Sequence, residues 1–361
     1  MSLPDDDLIP LIADACSTFG FFQIIHVNES LVSAATALRH IAMMELFALP
    51  PEEKRRYKRH QQNARGYFDD ELTKQRRDWK ECWDVGMPGS RDWTILPDDD
   101  PLQNACLDGF NVFPPNSNGL DVRDIIVHYF QECTALSERL ASLMARGLHI
   151  LLPNTFLDEL AQTHSSYLRL NHYPPCDTVS PEPSEHVLGI SPHRDAGFLT
   201  ILLQDENCHS LQVWHDEQWI TIHPEPQSFT INTGDMCMLW SNGRYQAPLH
   251  RVLTHESSER YSAPFFYNPG YHQWITCALV NEEPKYHPCL FGYFRAIRFA
   301  GDLTDLGVEI QIQDYGIHDD NDEKSPHIQK QTIFAERVDF RQPFSVEKYR
   351  PLLVNDPKDS L

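Results

Sequence analysis

The stretch SPHRDAGFLTILLQD, residues 191–205, decides the fold prediction. It sets a histidine and an aspartate two residues apart and then continues as a hydrophobic, β-prone run. Side chains at positions i and i+2 of a strand point to one face, so His193 and Asp195 are expected to converge on one point. A core position would favour Val or Leu here. The pair therefore indicates a metal site, a proton relay or a satisfied buried pair.

A third histidine, His250, lies several predicted strands later, in APLHRVLTH. In a jelly roll a late strand returns beside an early one, which would bring His250 to the first pair. Two imidazoles and one carboxylate on one face suit non-haem Fe(II) oxygen chemistry, and zinc hydrolysis could use the same ligands. The second His-x-Asp match, His318 and Asp320, lies in the acidic stretch HDDNDEKSPH, for which we predict a solvated loop.

The remaining pattern predicts a mainly β protein with a helical wrapper, that is, an α+β chain. Helical spacing covers the N-terminus up to Thr18, residues 30–49, residues 121–152 and the segment CLFGYFRAIRFAGDL. From residue 166 the period changes to about eight short β-prone segments separated by turn signals, with Asn242-Gly243 suited to a hairpin turn and Asp216-Glu217 marking another. This succession favours a jelly roll, that is, a cupin-like double-stranded β-helix, flanked by helices at both ends.

Composition limits the partners that the chain can have. Thirty basic and 52 acidic residues give a net charge of −22, which disfavours nucleic acid and anionic membrane surfaces. We expect no run of about 18 apolar residues that could span a membrane. The start MSLPDDDLIP has no features of a signal peptide, and nine cysteines without CxxC spacing indicate reduced thiols. A cytoplasmic monomer acting on a small molecule is the expectation.

The segment SSERYSAPFFYNPG contains an arginine that needs an anionic partner. Arg260 and Ser262 alternate as in a strand, so both can face the interior of the barrel. A buried unpaired charge is costly, and a small dicarboxylate held by a guanidinium and a hydroxyl would satisfy it. A salt bridge to an internal Asp or Glu is the alternative.

The chain resembles the iron(II)- and 2-oxoglutarate-dependent oxygenases, in the branch that contains isopenicillin N synthase and plant enzymes such as anthocyanidin synthase. The segments that carry the resemblance follow the family's order over most of the chain: DACSTFGFFQI, DWKECWDVG, LRLNHYPPC, SPHRDAGFLTILLQD, GDMCMLWSNGRYQAPLHRV and RYSAPFFYNP. Two departures are HVN at residues 26–28, where relatives read NHG, and Arg194 inside the iron motif. Being at i+1, Arg194 is expected to point away from the iron.

The resemblance implies a site with Fe(II), 2-oxoglutarate and O2. The implied iron ligands are His193, Asp195 and His250, and the implied 2-oxoglutarate contacts are Arg260, Ser262, Tyr173 and Asn171. Three further positions match substrate-lining segments of relatives: Phe266, Arg65 and Tyr67. Tyr173 and Phe266 could instead be core residues, and Arg65 could be a surface charge.

The implied reaction couples oxidative decarboxylation of 2-oxoglutarate, to succinate and CO2, with C–H oxidation of a small metabolite by hydroxylation, desaturation or ring closure. Two alternatives stay open: a 2-oxoglutarate-independent oxidase of the isopenicillin N synthase kind, and a non-catalytic jelly-roll sensor. We predict one compact unit with four regions, namely an N-terminal mixed region (1–115), a supporting helix and connector (116–163), the jelly-roll core (164–270) and a C-terminal helical cover (271–361).

Overall fold

The computed structural model describes residues 3–60, 63–73, 76–87, 109, 111–115, 121–150, 154–176, 188–303, 310–317, 325–338 and 352–353. Within them the helices are α1 (Asp5–Thr18), α2 (Glu29–Ala37), α3 (Met43–Ala48), α4 (Pro51–Lys54), α5 (Val122–Gly147), α6 (Thr155–Thr163), α7 (Asp235–Trp240), α8 (Phe291–Leu303) and α9 (Pro326–Arg337). The strands are β1 (Phe21–Ile24), β2 (Gly66–Phe68), β3 (Leu72–Thr73), β4 (Arg76–Arg77), β5 (Glu81–Gly86), β6 (Tyr167–Tyr173), β7 (Leu188–His193), β8 (Leu199–Gln204), β9 (Leu211–His215), β10 (Gln218–Thr221), β11 (Phe229–Thr233), β12 (His250–Leu253), β13 (Arg260–Tyr267), β14 (Trp274–Ile275) and β15 (Cys289–Leu290). His318 and Asp320 lie outside the described residues.

Two antiparallel sheets face each other and enclose the cleft that contains the predicted ligands His193, Asp195 and His250. The major sheet has seven described strands in the order β1-β11-β8-β13-β6-β5-β2, and the minor sheet has four, in the order β10-β9-β12-β7. Neighbours that are distant in sequence, such as β12 beside both β7 and β9, are the crossovers of a jelly roll. The predicted double-stranded β-helix with flanking helices is therefore confirmed.

Helix α5 supports the outer face of the major sheet. Asp121 caps its first turn by accepting a hydrogen bond from the Arg123 amide at 3.0 Å. The helix ends at Gly147, about five residues before the predicted end. One face of the helix is buried, and Phe130 meets Phe265 of β13 with ring centroids 4.8 Å apart. The helix is thus part of the hydrophobic core.

The stretch Glu29–Ala48 contains α2, a π-helical turn at Leu38–Ala42 and α3. With a mean hydropathy of 1.3 it is long and apolar enough, by length and composition, to cross a membrane, so the prediction that no such run exists is wrong. A core helix passes the same test, and 44% of the apolar window is buried. Its buried side chains, Leu38 and Leu46 among them, belong to the same hydrophobic core as those of α5.

The segment SFTINTGDMCMLWSNG lies in the region predicted to form short strands, but only its first part is a strand. Strand β11 stops at Thr233, and the next residues form the short buried helix α7. Asn242 and Gly243 do adopt positive φ angles, 56° and 76°, but they follow that helix and do not join two strands. Asp216 and Glu217, with φ of 47° and 60°, do connect β9 to β10 in a hairpin.

All eight cysteines in the described part of the chain are free thiols. Seven of them are buried, and Cys277 is partly exposed. Burial raises the pKa of Cys16 to about 12. These free thiols agree with the prediction that the cysteines are reduced and not paired in disulfides.

A cluster of paired charges is buried where β5 and β6 meet the β3–β4 hairpin. Arg169 binds Asp84 through two hydrogen bonds of 2.8 Å and Glu71 through a third. Lys80 lies 2.7 Å from the same Glu71 carboxylate. Every member of the cluster is less than 10% exposed: Arg59, Glu71, Asp78, Lys80, Asp84 and Arg169. Burial alone would raise the pKa of Glu71, but the charges of Arg169, Lys80 and Arg59 outweigh it and hold the pKa well below its ordinary value.

Replacing Glu71 with Gln should destabilise the protein by about 3 kcal/mol at pH 7, because it removes one of the three buried carboxylates that balance the buried cations Arg59, Lys80 and Arg169. A carboxylate whose pKa is lowered on folding contributes stability above its unfolded pKa and loses it as the pH falls. The difference between wild type and Glu71→Gln should therefore shrink as the pH falls below about 4.5. Urea unfolding at pH 7 and pH 4 measures both differences.

Glu52→Gln, at an exposed position of α4, is the matched control and should change the free energy of unfolding little at either pH. A Glu71 variant as stable as wild type at pH 7 would contradict the pairing described for the cluster.

Candidate metal centre

His193, Asp195 and His250 come together at the inner face of the minor sheet. His193 ends β7 and His250 begins β12, and the two are directly opposite each other in the antiparallel register. Their potential ligand atoms all lie within 4.8 Å of one another, and Asp195 Oδ1 is 3.7 Å from His193 Nε2 and 3.6 Å from His250 Nε2. The three side chains thus meet at one point.

Hydrogen bonds fix which atom each of these side chains presents. His193 Nδ1 donates to the Ser191 carbonyl at 2.9 Å, and His250 Nδ1 donates to the Pro248 carbonyl at 3.2 Å. Both Nε2 atoms therefore remain available as ligands, and the orientation of each ring is fixed by the backbone.

Asp195 is held from the opposite side by the major sheet. Its Oδ2 accepts hydrogen bonds from Thr200 of β8 at 2.5 Å and from Asn232 of β11 at 2.7 Å. Its Oδ1 is left to face the two histidines. The carboxylate is therefore oriented as a ligand without the need for an ion to organise it.

The protonation states suit metal binding. Burial, and after it the neighbouring His250, lowers the pKa of His193 to about 3. Burial alone would raise the pKa of Asp195, but the two histidines and then the two hydrogen-bond donors outweigh it, so the pKa lies below its ordinary value. A neutral imidazole and an ionised carboxylate are the forms that bind a metal.

Arg260 lies in the same cleft and is only 2% exposed. Its Nη1 donates to Ser262 Oγ at 3.2 Å, whereas its Nε has no hydrogen-bond partner among the described residues. Within that part of the chain it forms no ion pair with a carboxylate, so the internal salt bridge considered from the sequence is not found among the described residues. A buried guanidinium without a counter-charge fits an anionic ligand such as the 5-carboxylate of 2-oxoglutarate.

The register of β13 and β6 explains how the other predicted cosubstrate contacts reach this place. Tyr173 pairs with Arg260, and Asn171 pairs with Ser262. The Tyr173 ring centroid is 4.8 Å from the Arg260 guanidinium carbon, and Asn171 Nδ2 donates to Ser262 Oγ at 3.3 Å. All four residues line the cleft that contains the three candidate ligands.

Of the three predicted substrate residues, only Phe266 lines this cleft. It is partly buried and stacks on Tyr167, with ring centroids 4.7 Å apart. Arg65 is 3% exposed, so it is not a surface charge, and its guanidinium carbon lies 5.1 Å from the Tyr167 ring. Tyr67 is buried away from the cleft, and its hydroxyl donates to Glu81 at 2.8 Å.

Sequence reasoning missed Thr200, Asn232 and Phe21, all of which line the cleft. Alternation along β8 could have found Thr200, because it shares a face with the apolar Leu202. Asn232 stands in a β-prone run where a polar side chain on the inner face is unusual. The Phe21 ring contacts the His250 ring edge to face at 5.5 Å, and no local signal marks it.

Comparison with known proteins identifies the family to which the chain belongs. Residues 164–269 match the 2OG-Fe(II) oxygenase superfamily, and residues 2–116 match a domain described as non-haem dioxygenase in morphine synthesis N-terminal. Jasmonate-induced oxygenase 2 of Arabidopsis thaliana is 33% identical over 327 residues, which cover 86% of this chain and 79% of that protein. Gibberellin 2-beta-dioxygenase 8 of the same plant is 30% identical over 304 residues, covering 83% and 79%.

Among solved structures, JOX2 in complex with 2OG, Fe and JA superposes with a TM-score of 0.65 at 31% identity, covering 81% of each chain. The chain belongs to the 2OG-Fe(II) oxygenase superfamily. It is an Fe(II)- and 2-oxoglutarate-dependent oxygenase, and these findings favour that function over the oxidase, the sensor and the zinc hydrolase.

Replacing Thr200 with Val should weaken Fe(II) affinity about tenfold, because it removes one of the two hydrogen bonds that orient the Asp195 carboxylate at little cost in volume. Anaerobic titration of the metal-free protein measures the change. Thr221→Val, at a partly exposed position of β10, is the control. Equal affinities for wild type and Thr200→Val would show that this hydrogen bond does not prepare the site.

Proposed function

We propose that His193, Asp195 and His250 bind the ferrous ion, and that Arg260, Ser262, Tyr173 and Asn171 hold 2-oxoglutarate beside it. The substrate would be a small organic molecule that reaches the cleft past Phe266. The observation that carries this proposal is the buried Arg260 guanidinium, which shares one cleft with the three candidate ligands and has no described carboxylate partner.

Each group has a distinct part in this assignment. When bound, the ferrous ion and 2-oxoglutarate would supply electrons that reduce O2: oxidative decarboxylation would convert the cosubstrate to CO2 and succinate, which takes one oxygen atom, and would leave the other for C–H oxidation. The two Nε2 atoms and Asp195 Oδ1 would hold the metal, which leaves the remaining ligands to come from the cosubstrate and O2. Arg260 and Ser262 bind the remote carboxylate through charge-assisted hydrogen bonds. Apolar walls such as Leu202 and Val252 exclude water from the reacting groups.

We further propose that the substrate carries a negative charge. Two guanidinium groups lie over the ring of Tyr167, at 5.1 Å for Arg65 and 5.6 Å for Arg295. A third, Arg169 at 5.8 Å, is already neutralised by Asp84 and Glu71 and does not count toward this charge. The same ring stacks on Phe266 of the cleft. Since the protein as a whole carries a charge of −22, such a local concentration of cations is where an organic anion would be attracted.

The setting that we propose is that of a cytoplasmic monomer with no nucleic-acid or membrane partner. The acidic composition and the free cysteines support it. JOX2, the relative solved with JA, supports a small-molecule substrate rather than a macromolecule.

The test is a screen for succinate formation by the Fe(II)-loaded enzyme, with each candidate acid paired with its neutral amide. Acids should stimulate succinate release more than their amides, and mass spectrometry then identifies the oxidised product. His193→Ala should abolish the activity because it removes a ligand, whereas His128→Ala, on the exposed face of α5, should retain it.

Three results would contradict the proposal in different ways. Substrate oxidation that needs no 2-oxoglutarate would favour the oxidase. Metal and cosubstrate binding without turnover of any compound would favour a sensor. Equal stimulation by acids and amides would remove the anionic substrate and leave the ligand assignment intact.

Arg260→Met should weaken 2-oxoglutarate binding 10- to 100-fold, from roughly 1.5–3 kcal/mol for a hydrogen bond to a charged group. Calorimetric titration of 2-oxoglutarate into the Mn(II)-loaded protein measures it without turnover. Arg244→Met, at an exposed arginine paired with Glu282, is the control. Unchanged affinity in Arg260→Met would refute the cosubstrate role, while Mn(II) affinity should be the same in all three proteins.

A further inference from the structure

Helix α8, which follows the jelly-roll core, is bound directly to the segment that carries two of the proposed ligands. Arg298 on this helix is 8% exposed, and its Nη2 donates to the backbone carbonyl of Arg194 at 2.6 Å. Its Nη1 donates to the Ile310 carbonyl at 3.3 Å. Arg194 stands between His193 and Asp195, so α8 holds the chain at the middle of the iron motif.

Arg194 continues the connection to the third ligand. As expected from its position, its side chain turns away from the ligand atoms, and Nη1 donates to the Ala247 carbonyl. Ala247 precedes Pro248, whose carbonyl accepts the hydrogen bond from His250 Nδ1. One chain of contacts therefore runs from α8 through the iron motif to the segment before His250.

The segment between β7 and β8 needs such support because it lies outside the strand ladders. Its carbonyls are satisfied individually: Asp195 O accepts from the Asp235 amide at 2.8 Å, and Phe198 O accepts from the Gly234 amide at 3.0 Å. Arg194 O instead accepts a hydrogen bond from the Arg298 side chain, which comes from a different part of the fold. Removing that donor would leave a backbone acceptor beside the site without its partner.

We propose that Arg298 and Arg194 are positioning residues that hold the three ligands in their metal-binding arrangement before the ion arrives. Metal affinity then depends on the docking of α8, a helix that lies beyond the 164–269 match to the oxygenase superfamily. This inference rests on the ligand set proposed above. Neither arginine touches the metal, so the expected effect is on affinity and not on the identity of the ligands.

The experiment is an anaerobic Co(II) titration of the metal-free, full-length protein, read from the visible absorption of the bound ion, together with the thermal midpoint of the metal-free form. Arg298→Met and Arg194→Met should each weaken Co(II) binding about tenfold. Arg298→Lys keeps a donor and should recover most of the loss. In the double variant the losses should fall short of additive, because both act on one segment.

Controls separate the two ways in which the inference could fail. Arg139→Met, which removes an exposed ion pair to Asp5, should leave Co(II) affinity unchanged. A lower thermal midpoint with unchanged Co(II) affinity in both Met variants would show a merely structural role and overturn the inference. If Arg298→Met does not fold, the half-buried Arg194→Met decides alone. Equal Co(II) binding by wild type and His193→Ala would instead refute the proposed ligand set.

Discussion

The site depends on one carboxylate that both sheets share. Asp195 accepts hydrogen bonds from Thr200 and Asn232 of the major sheet through one oxygen and directs the other to histidines of the minor sheet. A buried carboxylate is costly unless it is paired and hydrogen-bonded. Its donors and its histidines are available together only when the two sheets close with the correct offset. Correct closure of the barrel and preparation of the metal site are therefore one event.

Local periodicity was enough to predict several of the site residues. Alternation along a strand puts Arg260, Ser262 and Phe266 on one face, and all three line the cleft. The position of His250 opposite His193 depends on the pairing of β12 with β7, which no local pattern encodes. The order of family motifs supplied that information.

The residues and elements that could not be predicted from the sequence share one property: their structure depends on contacts with distant parts of the fold. Thr200 and Asn232 are polar residues in β-prone runs, and their roles depend on a partner that lies elsewhere in the fold. Helix α7 has only six residues, too few for a helical period to stand out from a strand. Charged residues are usually exposed, yet Arg65, for which a surface charge was one alternative, is buried, and so is Arg169. Arg169 is neutralised by Asp84 and Glu71, whereas Arg260 has no carboxylate partner among the described residues. Only the three-dimensional structure distinguishes these two buried arginines.

The buried thiols have a consequence for the lifetime of the molecule. An enzyme that activates O2 risks oxidising its own side chains, and the thiolate is the form of cysteine that reacts. Burial raises the pKa of Cys16 to about 12 and raises that of Cys82 and Cys133 as well, so these sulfurs stay protonated at neutral pH. Cys82 lies next to one of the proposed 2-oxoglutarate contacts, since its thiol donates to Asn171. Close packing thus protects the buried thiols from oxidation. Among the eight described cysteines, the partly exposed Cys277 is the one most accessible to oxidation by the enzyme's own reaction.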